Sequence, residues 1–508
     1  MAAERDPLAL PADEMRRAGY ATVDALVALL AGPSPILHRA TPAEMDSLLA
    51  GPVPEQAQGY DEVLADVVRD VLPYASRGDH PGYFAYIPSC GTWPAALADL
   101  MASAMNIYCG SWMESAGATA VELQVLDWFR RWIGYPEGAD GVLVSGGSAA
   151  NLTAMACARE LRLGAMSDRV VAYCSDQAHS SVTRAARTLG FRPDQLRVVP
   201  TDTHFRMRVD ALTSVMRADA EDGRVPLFVS ASAGSTNTGA VDSLPELAAL
   251  CQERDVWLHV DAAYGGFAMM TERGREWLAG IEEADSVTLD PHKWLYQPFE
   301  CGALLVRDRG TLEHAFAVSP DYLADTTAGP GEVNFSDRGL QLTRGSRALK
   351  VWMSLRTFGL AAFRDTVDRS LDLARLAQRI IEEDPRLELM TPATLGVVCF
   401  RRRFEDVSSE AELGRLNAAV AEQLVAQGIG LVSSTRLHGR FALRMCVLNH
   451  TSGERDVRSV LEHLASAEPF AASLSSVWRP HGADRLPCLL YTSPSPRDLS
   501  TSRMPSSA

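Results

Sequence analysis

The sequence predicts an α/β fold built on a largely parallel sheet, and three observations predict it. Between about residues 93 and 350, short β-rich runs alternate with amphipathic helical stretches. The runs are almost continuously apolar, the pattern of strands covered on both faces. Polar residues and glycines gather just past the ends of these runs, at the edge where such sheets hold ligands.

Taken in order, residues 12–32 (ADEMRRAGYATVDALVALLAG) carry Met15, Val23, Leu26, Val27 and Leu30 at helical spacing, and Gly32-Pro33 ends the pattern. A Pro- and Gly-punctuated stretch leads to a second helix over 61–72. Two helices are too few to fold alone, so 1–92 is expected to be a helical arm packed on another domain or subunit. The strands expected in 93–350 are 141–145, 169–175, 226–232, 256–261, 285–290 and 302–307, with helices such as 149–163 and 244–254 between them. Beyond Lys350 a helical region runs to Glu383. It is followed by strands at 387–390, 395–403, 430–434 and 441–447 and helices at 411–427 and 455–466. That makes 351–470 a smaller α+β domain. The last stretch, 471–508, becomes rich in Ser and Pro from Arg485 onward and has no amphipathic period. It is expected to be a disordered, appended tail outside the fold.

Over 508 residues, 47% hydrophobic and 22% charged content is ordinary for a globular chain with a real core. A formal charge of −16 argues against nucleic acid or an anionic membrane as partner. No apolar run approaches the roughly 18 residues needed to span a bilayer. The N-terminus lacks the apolar core of a signal peptide. Nine scattered cysteines without a CxxC pair read as reduced thiols in a cytoplasmic protein.

Among 48 basic residues only Lys293 and Lys350 are lysine. Where arginine has replaced lysine wherever it suffices, a surviving lysine is suspected of chemistry that arginine cannot perform. A desolvated amine can lose its proton and attack a carbonyl carbon, whereas a guanidinium stays protonated.

Lys293 lies in LDPHKWLYQP (289–298), directly after a β-run, with His292 and Trp294 beside it. A lysine that binds pyridoxal 5'-phosphate (PLP) needs a carboxylate facing the pyridine nitrogen, because a protonated ring is the electron sink. WLHVDAAYGG (257–266) supplies Asp261 at a strand end, although a strand-end Asp also caps helices. His259 shares its strand face and would make a metal pair, but no third ligand is near. SGGSAANLTAM (145–155) offers Gly146, Gly147 and Ser148 between strand and helix, where backbone N–H groups can cradle a phosphate. The same run nearly matches a hydrolase nucleophile elbow around Ser148, but Ala150 replaces the final glycine. His179 in DQAHSS (176–181) is either a satisfied histidine or one that stacks on the pyridine ring. Thr236 in GSTNTGAVD (234–242) is either a site hydroxyl or a turn residue.

SGGSAAN, DQAHSS, WLHVDAAYGG and DPHKW, in this order and spacing, resemble the group II PLP-dependent amino-acid decarboxylases, with the aromatic-L-amino-acid branch closest. The resemblance runs from about 12 to 466. It implies an aspartate-aminotransferase-like fold (fold type I) and a homodimer with shared active sites, the arm of each subunit lying on the other. It further implies Lys293 as the Schiff-base lysine, Asp261 as the pyridinium partner and His179 as the stacking histidine. Gly147 and Ser148 correspond to the phosphate cradle, with Thr236, Asp290 and His292 as further cofactor residues. Members have asparagine where Asp290 stands, and a carboxylate beside the phosphate would be repulsive.

The implied reaction is loss of CO2 from an amino-acid substrate, with the remaining carbanion protonated by a positioned acid. The segment 319–334 has the composition of a mobile lid, and its Tyr322 matches the family's proton-donating tyrosine. Members that form aldehydes commonly lack this tyrosine or the stacking histidine, so the amine is the expected product. HPGYFAYIPS (80–89) matches the family's pocket segment through Tyr86, Ile87 and Ser89. NIYCGSW (106–112) would bring Tyr108 and Gly110 from the partner subunit. Gly110 stands where aromatic decarboxylases often have a bulkier residue, and Gly78 where they have tryptophan. A roomier pocket that admits indole is expected. Tryptophan, tyrosine, dopa or phenylalanine is the expected substrate. A non-aromatic substrate (glutamate, diaminobutyrate, cysteine sulfinate) and an aldehyde-forming oxidative reaction are the alternatives.

Overall fold

The computed structural model describes residues 8–87, 90–163, 167–318 and 328–469, with the single positions 6, 321 and 325. The twelve described strands are β1 (Tyr83–Phe84), β2 (Asp140–Val144), β3 (Val170–Ser175), β4 (Leu196–Val199), β5 (Val225–Ser232), β6 (Trp257–Asp261), β7 (Ser286–Leu289), β8 (Gly302–Val306), β9 (Leu387–Thr394), β10 (Val397–Arg402), β11 (Leu431–Leu437) and β12 (Arg440–Cys446).

Seven strands form the large sheet in the order β2-β8-β7-β6-β5-β3-β4. β8 pairs antiparallel with both β2 and β7, and the other pairs are parallel. The carboxyl ends of the six co-directional strands therefore share one edge with the start of β8. β3 is buried at every position, which explains why apolar residues run through it without alternation. Helices Gly147–Arg162 and Leu244–Arg254 form where the sequence predicts them. β4 escapes the sequence reading because it is an edge strand with Val198 half exposed and lacks the continuous burial that marks the equally short β7.

The second sheet has the order β1-β11-β12-β10-β9. β1 comes from the N-terminal segment and pairs in parallel with β11, Tyr83 opposite Leu431. A Cβ at Gly82 would lie 2.5 Å from the Ile429 carbonyl oxygen, so glycine permits this approach. The expected helix over 61–72 is an α-helix only over Tyr60–Asp66. A wide turn over Val67–Val71 and a tight one at Leu72–Tyr74 follow, because Pro73 has no N–H to continue the ladder. Helix Ala348–Glu383 is interrupted at Gly359 (φ 78°), a backbone state glycine adopts without Cβ strain. Its first part packs Val351 and Leu355 into the core of the large sheet, and its second packs Ala374, Ala377 and Ile381 into that of the small sheet.

One buried ion pair ties the large sheet to its flanking segments. Arg344 donates to both carboxylate oxygens of Glu122 (2.7 and 3.0 Å) and to the carbonyls of Leu143 and Cys109. Glu122 also accepts from the Leu143 N–H at 3.0 Å. Both side chains are almost wholly inaccessible, so breaking the pair strands a charge in the interior. Glu122→Ala should lower the unfolding free energy by about 3–5 kcal/mol in urea denaturation.

Candidate active site

Loops from the carboxyl edge of the large sheet enclose a cavity of about 300 Å³. Gly147 and Ser148 reach it from the end of β2, His179 from β3, Thr236 from β5, Asp261 from β6, and Asp290, His292 and Lys293 from β7. Ile87, shortly after β1, closes one side. Tyr86 is exposed, its N–H donating to the Ser433 hydroxyl at 3.2 Å. Tyr108 donates to the Leu342 carbonyl at 3.1 Å. Its ring covers Gly110, where a Cβ would sit 2.1 Å from the Tyr108 oxygen. Tyr86, Tyr108 and Gly110 do not line the cavity within this chain. Tyr108 itself fills the room expected at Gly110. Ser89 and Tyr322 lie outside the described residues.

At the floor, glycines set the shape. A Cβ on Gly147 would meet the Ala263 Cβ at 3.1 Å and an Asp290 oxygen at 3.0 Å. One on Gly302 would fall 2.4 Å from the Gly146 Cα. Bare backbone at the N-terminus of helix Gly147–Arg162 thus faces the cavity, with first-turn N–H groups that have no intrahelical acceptor. A phosphate fits such a helix start.

The Lys293 amine lies 2.9 Å from Asp290 Oδ2. Asp290 is buried, its Oδ1 has no hydrogen-bond partner, and His292 Nε2 stands 3.7 Å from Oδ2. Burial pushes the lysine pKa down, but the carboxylates of Asp290 and Asp261 outweigh it and hold the amine above its ordinary value. Burial lowers the pKa values of His179 and His292, favouring neutral rings.

Asp261 accepts from Asn151 Nδ2 at 2.8 Å and from the Ala263 N–H at 3.2 Å. His179 caps helix Ser180–Thr188, its Nδ1 accepting from the Ser181 N–H. His259, weighed above as half of a metal pair, places Nδ1 2.8 Å from the Ser286 hydroxyl and Nε2 3.0 Å from Asn151 Oδ1. Sequence reasoning missed Asn151, Ser181 and Glu300. It also missed Arg444 on β12, which is buried and donates to the carbonyls of Thr236, Asn237 (2.9 Å) and Tyr86 (3.4 Å). Two of these had a signal: an asparagine inside an alanine-rich helix, and an arginine inside an apolar strand.

A lysine and an acid at neighbouring strand ends, above a glycine-floored helix start, suit the cofactor site of a fold type I PLP enzyme. Residues 42–403 match the family described as pyridoxal-dependent decarboxylase conserved domain. An aromatic-L-amino-acid decarboxylase of Bacillus atrophaeus is 37% identical over 474 residues, covering 92% of this chain and 99% of the relative. One from Sus scrofa is 33% identical over 486 residues, covering 91% and 98%. The crystal structure of Oryza sativa TDC with PLP and tryptamine matches with a TM-score of 0.85 at 30% identity, over 91% of this chain and 98% of that one. The chain belongs to the pyridoxal-dependent decarboxylase family and is a PLP-dependent amino-acid decarboxylase.

Asp290 and Asp261 raise the Lys293 pKa, and only an unprotonated amine can attack an aldehyde such as that of PLP. Capture of PLP by apoenzyme should therefore speed up as pH rises toward the elevated lysine pKa. Asp290→Asn should shift this profile to lower pH, with capture roughly tenfold faster at neutral pH per unit fall in that pKa. Absorbance during reconstitution measures both. An unshifted profile would remove the carboxylate from the account.

Proposed function

We propose that this enzyme decarboxylates an aromatic L-amino acid to the amine and CO2, with Lys293 as the lysine that carries PLP. The carrying observation is that Lys293 and Asp261 line one cavity above the Gly146-Gly147 floor. Bound PLP supplies an electron sink for the pair left at Cα when CO2 departs. Asp261, held by Asn151 and the Ala263 N–H, is the acceptor for the proton on the ring nitrogen. The N–H groups at the start of helix Gly147–Arg162, with the Ser148 hydroxyl, bind the phosphate. His179, whose pKa burial lowers, would stand beside the ring, with Thr236 and His292 completing the wall. Tyr322, from 319–334, delivers the proton to Cα. The names of the relatives support an aromatic substrate, and the TDC structure with tryptamine supports indole as one acceptable ring.

Two copies assemble so that the arm of one lies on the other and its 106–112 segment completes the other's pocket. Met15, Tyr20, Val27 and Leu30 on helix Ala12–Ala31, and Leu100 and Met101 on helix Trp93–Ala104, leave apolar surface for such a contact. Large unit 93–350 and small unit 351–470 then form the body. Among the described residues no helix is long and apolar enough to cross a membrane. The described cysteines are free and buried, which suits the reducing cytoplasm.

Borohydride reduction of holoenzyme should fix the cofactor on the peptide containing Lys293, and Lys293→Arg should abolish both capture and turnover. Purified holoenzyme should release CO2 and amine from tryptophan, tyrosine, dopa or phenylalanine in preference to glutamate, diaminobutyrate or cysteine sulfinate. The reverse preference would sink the aromatic assignment. Tyr322→Phe should cut amine formation by roughly 10²–10⁴-fold, the usual contribution of a positioned acid. Aldehyde, ammonia and peroxide should appear in its place as oxygen is consumed. Sedimentation equilibrium should give twice the 55.0 kDa chain mass.

A further inference from the structure

Behind the cavity wall lies a chain of buried polar groups whose directions can be deduced from their chemistry. Trp257 Nε1–H, which can only donate, lies 2.8 Å from the Ser286 hydroxyl. That hydroxyl lies 2.8 Å from His259 Nδ1, and His259 Nε2 lies 3.0 Å from Asn151 Oδ1. Thr288 also donates to Asn151 Oδ1 at 2.7 Å. On its other side the Asn151 amide nitrogen reaches Asp261 Oδ2 and the Ser181 hydroxyl, each at 2.8 Å. Ser181 Oγ in turn lies 2.8 Å from His179 Nδ1. Trp257, Ser286, His259, Thr288, Asn151 and Ser181 are all buried.

A carboxylate accepts and never donates, so the NH2 end of the Asn151 amide must face Asp261. Its oxygen then faces His259 and Thr288, which requires the His259 proton on Nε2. Burial, which lowers the His259 pKa to about 4, keeps that ring neutral. His259 Nδ1 is then bare and takes the Ser286 proton, which is free because Trp257 donates to the other side of that oxygen. The two N–H bonds of Asn151 are divided between the residue set against the pyridine nitrogen and the one that fixes His179. A buried amide with every group satisfied is held in a single orientation, whereas an unsatisfied one is costly.

We propose that Asn151 is a positioning residue that orients Asp261 and, through Ser181, His179, with the Trp257–Ser286–His259 chain fixing the direction of its amide. The inference rests on Asp261 and His179 being the ring partners assigned above. Asn151 keeps Asp261 in place as a pure acceptor, and so sustains the proton on the ring nitrogen.

The test uses holoenzyme reconstituted with PLP labelled with ¹⁵N in the pyridine ring. In the parent enzyme the ring-nitrogen shift should report a protonated nitrogen. Asn151→Ala should move it toward the unprotonated value and weaken PLP binding by roughly 10- to 100-fold, the usual cost of removing an outer partner of a site residue. Should that variant fail to fold, Asn151→Thr keeps similar bulk with one hydroxyl proton, which cannot serve both Asp261 and Ser181. It should give a smaller shift in the same direction. A protonated parent with unchanged shift and affinity in whichever variant folds overturns the proposal and leaves the Asp261 assignment standing. An unprotonated nitrogen in the parent removes that assignment, and the proposal with it.

Discussion

The site depends on a single ammonium in a wall otherwise supplied with carboxylates. Asp261, Asp290 and Glu300 line the cavity, and Lys293 is the one fixed side-chain cation among its described lining residues. No arginine is among them, in a chain whose basic residues are almost all arginine. On the proposed assignment the phosphate would be bound by backbone N–H groups, the end of a helix dipole and the Ser148 hydroxyl, and a glycine floor suits that role. Asp290 keeps the amine aimed at the cavity at a cost. Its buried Oδ1 lacks a partner, and it brings negative charge close to the place where the phosphate would lie. A carboxylate there strengthens the hold on the free lysine and, on the proposed assignment, would oppose the phosphate anion.

The same edge accounts for what could be read from the sequence. A parallel sheet sends the ends of its strands to one side, so residues just past β2, β3, β5, β6 and β7 converge wherever they fall in the chain. Gly147, His179, Thr236, Asp261 and Lys293 were legible for that reason, as were six of the seven strands of the large sheet and the helices Gly147–Arg162 and Leu244–Arg254. Asn151 was not, because it sits a turn into a helix and acts from behind the wall. Tyr86, Tyr108 and Gly110 do not line the cavity within this chain. Strand-end logic says nothing about segments that are not strand ends, and a pocket completed by a second copy, as proposed above, could not be composed from one chain's periodicity.

Arg444 shows why the two sheets act as one site. It stands on β12 of the small sheet, yet it binds the carbonyls of Thr236 and Asn237 from the large-sheet side and of Tyr86 beside β1. Its Nη1 also donates to Ser433 at 3.0 Å. A planar fork of five donors can join two loops and strand β11 in this way, and a lysine could not. Ile87 and Thr236, two walls of the cavity, thereby take their positions from a strand remote from both in sequence.

The converse holds for Lys350, and it sharpens the argument from lysine scarcity. That argument looked for chemistry closed to arginine and pointed to Lys293, proposed above as the lysine that carries PLP. Lys350 is buried and forms an ion pair with Asp99 at 2.8 Å, and its amine also reaches the carbonyls of Pro298, Phe299 and Glu300 at 3.3–3.4 Å. Four oxygens converging on one point suit a compact ammonium, whereas a guanidinium spreads its donors across a plane. The segment held there joins the Lys293 turn to β8 and carries Glu300 into the cavity wall. Both lysines thus stand where an arginine would serve poorly, Lys293 on the proposed assignment for the reactivity of its nitrogen and Lys350 for its shape. Scarcity alone could not distinguish these reasons; the geometry around each nitrogen does.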